Sequence, residues 1–402
     1  MPWRTTWPMD ERTQFIAARL ANEEAMSALC RRFGISRKTG YKVWARYAAG
    51  GPAALAERSH AAHRQPRAVA AAGQEAIGAA RAAHPTWGPR KLKAWLTRRH
   101  PSQPWPAAST IGVLLRRGGW TAAPGRRTRA TPSAGLSAAT GPNDVWTADF
   151  KGWFRTGDGQ RCDPLTILDA HSRYLLDCRV VRGLTEPAAR PVFEALFREY
   201  GLPRVIRTDN GPPFASVAAG GLTRLAVWWV RVGIRPERIA PGHPEQNARH
   251  ERLHRTLKQE ATRPPQATAA AQQRAFARFQ HEYNHERPHE ALGQRPPAEC
   301  YQPSGRAYPA RLPALEYPAA YRVRQTHPNG EITWLGRRVF INQALAGESL
   351  GLAELADGCW GVFLGPIAVG WLDARRPERL QRTAVPSRPV QCTADLSPIR
   401  PV

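Results

Sequence analysis

Three acidic residues carry the chemistry this sequence can offer: Asp149 in V-W-T-A-D-F-K-G, Asp209 in R-V-I-R-T-D-N-G and Glu251 in N-A-R-H-E-R-L-H. Cutting or joining a phosphodiester needs an activated oxygen nucleophile and a stabilised leaving oxygen. Two divalent ions roughly 3.5–4 Å apart do both. Magnesium takes oxygen ligands and keeps several waters, so a few carboxylates suffice to hold it. Clustered carboxylates repel one another, and the cations relieve that repulsion. Taken singly, each acid also reads as a turn residue or an arginine partner, because Asp-Asn-Gly is an ordinary turn. Taken together and in this order, they predict one metal site.

The flanking residues predict what positions each acid. Val145, Thr147 and Asp149 alternate with Trp146, Ala148 and Phe150, the pattern of a strand. Cys162 to Tyr174 and Leu175 to Arg182 complete an expected antiparallel meander. Thr185 to Tyr200 has helical spacing at Val192, Leu196 and Phe197, and Gly201 and Pro203 end it. Arg204 to Thr208 is a short strand closed by Asp209, and Asn210-Gly211 turns the chain. Pro241 to Asn247 is a loop whose Asn247 is expected to cap the next helix. On that helix Glu251, His254, Arg255 and Lys258 fall on one stripe, with Leu253 and Leu257 on another. A carboxylate beside three phosphate-binding side chains suits a site that grips DNA, although a solvated helix face looks the same.

These stretches resemble the catalytic core of the retroviral-integrase superfamily, in particular bacterial insertion-sequence transposases with an Asp-Asp-Glu triad. The matching pieces are W-T-A-D-F-K-G, L-D-A-H-S-R-Y, G-L-P-R-V-I-R-T-D-N-G-P-P-F, P-E-Q-N-A-R-H-E-R-L-H-R-T-L-K and Y-N-H-E-R-P-H-E-A-L-G-Q-R-P-P, between about Val145 and Tyr301. The resemblance implies a ribonuclease-H-like fold and dependence on Mg²⁺ or Mn²⁺, two ions per site. It also implies cleavage and joining of transposon ends, with the triad on Asp149, Asp209 and Glu251. Two departures stand out: Ala248 follows the loop asparagine where the family has Gly, and forty-one residues separate Asp209 from Glu251, on the long side for the family. Glu245 is a second acid in the loop that competes with Glu251 for the third ligand position.

Composition narrows the partners. Lys+Arg number 58 against 32 Asp+Glu, a net charge of +26, which favours a polyanion. No apolar run is long enough for a membrane span and the N-terminus lacks a signal-peptide pattern, so a prokaryotic cytoplasmic, nucleoid-associated protein is expected. The six cysteines form no C-x-x-C pair, which predicts reduced and mostly buried thiols.

The fold class expected is multidomain α/β. Residues 1–60 read as a helix-turn-helix: Asp10 caps a first helix, Gly34 turns, and Ser36 caps a recognition helix presenting Arg37, Lys38, Tyr41 and Lys42 to a DNA groove. Residues 61–120 read as a second helix-turn-helix-like domain, its last helix capped by Ser109, with Arg90 and Lys91 as DNA contacts. Residues 121–143 are an acid-poor flexible linker in which Arg126, Arg127 and Arg129 track the DNA backbone. The ribonuclease-H-like core spans 144–302. Short alternating runs over 303–374, with an Asn329-Gly330 hairpin signal, predict an SH3-like β-barrel. The Pro- and Arg-rich residues 375–402 are expected to be disordered.

The expected function is metal-dependent cleavage at transposon ends and strand transfer into target DNA. The partners are double-stranded DNA (terminal inverted repeats and target) and further copies of the chain. The rivals are a DNA-binding regulator derived from a transposase and a metal nuclease of similar fold.

Overall fold

The computed structural model describes residues 8–56, 68–120 and 135–382. Arg126, Arg127 and Arg129 lie outside the described residues, as do 383–402. The chain divides into two compact units, 1–69 and 70–402.

The first unit is three helices, α1 (Pro8–Ala21), α2 (Met26–Arg32) and α3 (Arg37–Gly50), around Phe15, Ile16, Leu29 and Val43. Gly34, at φ +64, turns α2 into α3, and the Ser36 hydroxyl accepts Thr39 N–H at 3.2 Å, the cap the sequence predicts. Asp10 is no cap: α1 starts at Pro8, so Asp10 sits in its first turn, where its charge suits the helix dipole.

The second unit opens with α4 (Ala71–Ala83), α5 (Pro89–Arg99) and α6 (Ala108–Arg117), packed on Ile77, Trp87, Leu92 and Ile111. α6 begins one residue before Ser109 and has no side-chain cap. Then come β1 (Val145–Phe150), β2 (Phe154–Arg155), β3 (Arg161–Asp169), β4 (Leu175–Val181), α7 (Glu186–Tyr200), β5 (Val205–Thr208), α8 (Arg224–Arg231), β6 (Arg235–Arg238), α9 (Ala248–Glu260) and α10 (Ala269–His281). β4, β3 and β1 form the antiparallel meander, and β5 and β6 continue it in parallel.

Strand alternation sends side chains to two faces. Trp146, Ala148 and Ile206 pack with Phe193, Phe197 and Trp229 of α7 and α8. Leu168, Leu175 and Cys178 pack with Leu253, Leu257, Phe276 and Phe279 of α9 and α10. The result is a ribonuclease-H-like mixed sheet between two helical layers. Gly201, at φ +75, ends α7, and a Cβ there would lie 2.6 Å from Ser304 O, so only glycine fits.

The remaining strands are β7 (Arg322–Gln325), β8 (Glu331–Trp334), β9 (Arg337–Phe340), β10 (Ser349–Ala356), β11 (Cys359–Leu364), β12 (Ile367–Asp373) and β13 (Arg376–Gln381). They make a five-stranded antiparallel sheet, β13-β12-β11-β10-β7, and a separate β8–β9 hairpin, rather than one closed barrel. β13 lies beyond residue 374, so the expected disordered tail does not begin at 375. The five cysteines among the described residues are free; Cys30, Cys162 and Cys178 are buried.

α4–α6 sit against the segment after α10. His84 Nδ1 donates to Glu282 Oε1 at 2.8 Å, Arg90 pairs with Glu290 at 2.5 Å, and Arg98 pairs with Glu299. Lys91 is drawn into this contact. Burial, then Arg287, lowers its pKa from 10.5 to about 8; Glu260 and Glu290 offset part of that, and Arg252 adds to it. Charged Lys91 therefore opposes folding below pH 8, and the penalty fades toward pH 10.5. Lys91→Met is expected to raise the unfolding temperature at pH 7, with the gain shrinking as the pH climbs through that range. Calorimetry of both proteins at pH 7 and pH 10 checks this; a lower unfolding temperature at pH 7 would show that the ammonium stabilises the contact.

Candidate active site

The alternation that buries Trp146 and Ala148 on one face turns Thr147 and Asp149 toward α9. Ala148 pairs with Thr208 across β1 and β5. One residue further, Asp149, still within β1, and Asp209, just past the end of β5, lie close enough for their charges to interact. Asp209 accepts Gly211 N–H at 3.1 Å. A Cβ on Gly211 would lie 3.0 Å from that carboxylate, so glycine leaves the acid room. Asn210 fixes the turn by donating to Ile239 O at 2.8 Å.

Asn247 does not cap α9. Its Nδ2 donates to Asp149 Oδ2 at 2.8 Å, holding one carboxylate oxygen in place. Asp149 is half-buried. Burial pushes its pKa up to about 7, the Asp209 charge adds to this, hydrogen bonds from Phe150 N–H and Asn247 oppose it, and the Glu251 charge raises it further. Glu251 is exposed on α9, and Glu245 is tied to His243 at 2.7 Å within the preceding loop.

An all-oxygen donor set in which burial and the charges of Asp209 and Glu251 raise the pKa of Asp149 is what a hard divalent cation relieves. On that ground Asp149 and Asp209 fit magnesium or manganese. Among the described residues no three His, Cys, Asp or Glu side chains converge as a ready-made cage. Glu251 reaches Asp149 through its field.

The helix stripe divides in two. Arg255 and Lys258 are exposed beside Glu251. His254 turns inward instead, its Nε2 2.8 Å from Thr166 Oγ1. The signal for this was its spacing with His250, Leu253 and Leu257, the inner stripe of α9. Sequence reasoning also missed Lys151, two residues past Asp149. Burial lowers its pKa, and the charges of Lys258 and Arg263 add to that, so three cations share this corner. In the helical units, Arg37, Lys38, Tyr41 and Lys42 are exposed at the start of α3, and Arg90 is exposed but paired.

Comparison with known proteins finds integrase core and helix-turn-helix domains in this chain. Two family models described as integrase core domain match residues 139–244 and 232–297. A helix-turn-helix domain matches 11–66 and a homeodomain-like domain 39–115. An insertion element IS476 uncharacterized 39.2 kDa protein of Xanthomonas euvesicatoria is 34% identical over 167 residues, 41% of this chain and 46% of that protein. An insertion element IS407 uncharacterized 31.7 kDa protein of Burkholderia multivorans is 31% identical over 165 residues, 41% of this chain and 57% of that protein. The matches thus span about half the length of these relatives. The HTLV-2 integrase catalytic core domain in complex with magnesium is 15% identical, covering 40% of this chain and 99% of that one at a TM-score of 0.33.

Proposed function

We propose that this chain, an integrase core preceded by helix-turn-helix domains, is a transposase that cleaves DNA at the ends of an insertion element and joins them to target DNA. The observation that carries this reading is the closeness of Asp149, within β1, to Asp209, just past the end of the adjacent β5, with Asp149 also in the Glu251 field. In this reading Asp149, Asp209 and Glu251 hold two Mg²⁺ or Mn²⁺ ions. When bound, they activate the attacking oxygen and stabilise the leaving one.

The chain's own groups prepare that step. Asn247 orients the Asp149 carboxylate, and Gly211 leaves space at Asp209. Lys151, Arg255 and Lys258 hold backbone phosphates beside the acids. Arg37, Lys38, Tyr41 and Lys42 on α3 read the terminal repeat, phosphates fixing register and base edges giving sequence. Arg126, Arg127 and Arg129 remain candidates for backbone contacts, and Arg90 can exchange Glu290 for phosphate. Lys91 and His254 face protein groups and stand apart from the proposed DNA surface. Two ends must be joined together, so the working form is an oligomer on DNA, acting in the bacterial cytoplasm. No described helix is long and apolar enough to cross a membrane.

The test is cleavage and joining of a labelled DNA end, taken from the flanks of this gene, with Mg²⁺ or Mn²⁺. Asp209→Asn and Glu251→Gln are expected to abolish both activities with DNA binding intact. Retained activity in Glu251→Gln, with loss in Glu245→Gln, would move the third ligand to the loop. Cutting without joining would support a nuclease.

A further inference from the structure

The inner face of α9 carries two histidines where leucine would pack as well. His250 is fully buried. Its Nδ1 lies 2.8 Å from Thr147 Oγ1 on β1 and its Nε2 lies 2.8 Å from Thr166 Oγ1 on β3. His254 Nε2 reaches the same Thr166 oxygen at 2.8 Å, and that hydroxyl is 3.1 Å from the backbone oxygen of Asp149. A hydroxyl has one proton and two lone pairs. With the Thr166 proton on Asp149 O, both imidazoles donate to its lone pairs. His250 then carries its proton on Nε2, and its Nδ1 accepts the Thr147 hydroxyl. Both ring nitrogens of fully buried His250 and the Thr166 hydroxyl find partners, which is what makes their burial tolerable; the Thr147 hydroxyl has a longer alternative acceptor in Leu168 O at 3.4 Å.

Leucines would hold α9 on the sheet without fixing how far it slides or rotates. Directional bonds from two turns of the helix to one oxygen fix both. The residue after His250 is Glu251, and the carbonyl bonded to Thr166 belongs to Asp149. We propose that Thr166 and His250 are positioning residues that set where Glu251 stands relative to Asp149. The inference rests on reading these acids as the metal site.

The test measures Mn²⁺ binding to the full-length chain by spin resonance of the free ion, beside cleavage of a labelled DNA end. Thr166→Val removes the shared hydroxyl and keeps the shape. It is expected to raise the Mn²⁺ concentration for half-occupancy by on the order of 10–100-fold and to slow cleavage to match. Thr166→Ser, which restores the hydroxyl, should bind near the wild-type concentration. DNA affinity and circular dichroism should be the same for all three, separating misplacement from misfolding. Wild-type binding in Thr166→Val, or equal losses in Val and Ser, would overturn the proposal. A wild-type chain that binds Mn²⁺ and cleaves nothing would sink the transposase reading, and the Val-against-Ser difference in binding would still decide the positioning role. A wild-type chain that binds no Mn²⁺ overturns the proposal as well.

Discussion

Asp149→Asn is expected to lower metal-dependent DNA cleavage by on the order of 10³-fold or more, and to raise the thermal stability of the metal-free protein at pH 8. On the proposed function, the first effect follows from losing a ligand to ions that supply several kcal/mol of transition-state stabilisation, ~4 kcal/mol being about a thousandfold in rate. The second follows from the site itself. Asp149 is half-buried beside Asp209 and in the field of Glu251, so without metal its charge works against the fold. An amide keeps the shape, and its oxygen still accepts from Asn247. Added Mg²⁺ should then stabilise wild type and leave the variant unchanged, since only a protein that binds the ion gains from it. Thermal unfolding with EDTA and with Mg²⁺, beside cleavage of a labelled end, checks all three statements. Activity lost together with a lower unfolding temperature would mean that Asp149 is a structural acid.

Much of this was legible in the sequence. Strand β1 follows from its alternating residue types and helix α7 from its helical spacing, whereas β3 and most of β4 are buried on both faces and read as apolar strand runs. The strand-end setting of Asp209 follows from the turn chemistry of Asn210-Gly211. α8 left no such trace: Leu225 to Val230 are all buried, so no periodicity distinguishes helix from strand. Asn247 carried two possible bonds, to its own helix or across to Asp149, and a local reading sees only the first. His254 shares the apparent stripe of Glu251, and only the inward row His250, Leu253 and Leu257 assigns it to the core. Closure of the C-terminal strands depends on pairings distant in sequence. β13 buries Leu380 alone among charged and half-buried neighbours, so its composition reads as disorder. The docking of α4–α6 is written in acids far along the chain, Glu282, Glu290 and Glu299, which local patterns do not connect.

Glu237→Ala is expected to destabilise the second unit by about 3 kcal/mol, the low end for breaking a buried ion pair, because Arg207 and Glu237 keep 9% and 12% exposure. The two residues pair directly across β5 and β6, with Arg207 Nε donating to Glu237 Oε2 at 2.7 Å. Glu237 Oε1 also accepts the Ser137 N–H at 2.9 Å and hydroxyl at 2.6 Å, and Arg207 returns a bond to Ser137 O at 2.6 Å. Alanine would leave a buried guanidinium two residues from Asp209 and release the chain where it enters the core. Glu237→Gln keeps the shape and acceptor oxygen, so its loss should be smaller. Burial alone would raise the Glu237 pKa; the Ser137 bonds and Arg207 outweigh it and leave the pKa below 4.5. A lowered carboxylate pKa means stability that is present above the ordinary glutamate range and lost as the pH falls below it. Wild type should therefore lose stability more steeply than Glu237→Gln on acidification below pH 4.5. Urea unfolding of the three proteins at pH 7, and of wild type and Glu237→Gln from pH 5 downward, reads both effects. Equal stability of wild type and Glu237→Ala at pH 7 would show that Ser137 and the exposed Arg235 reorganise around the gap, and that the clamp does not hold β5 and β6 together.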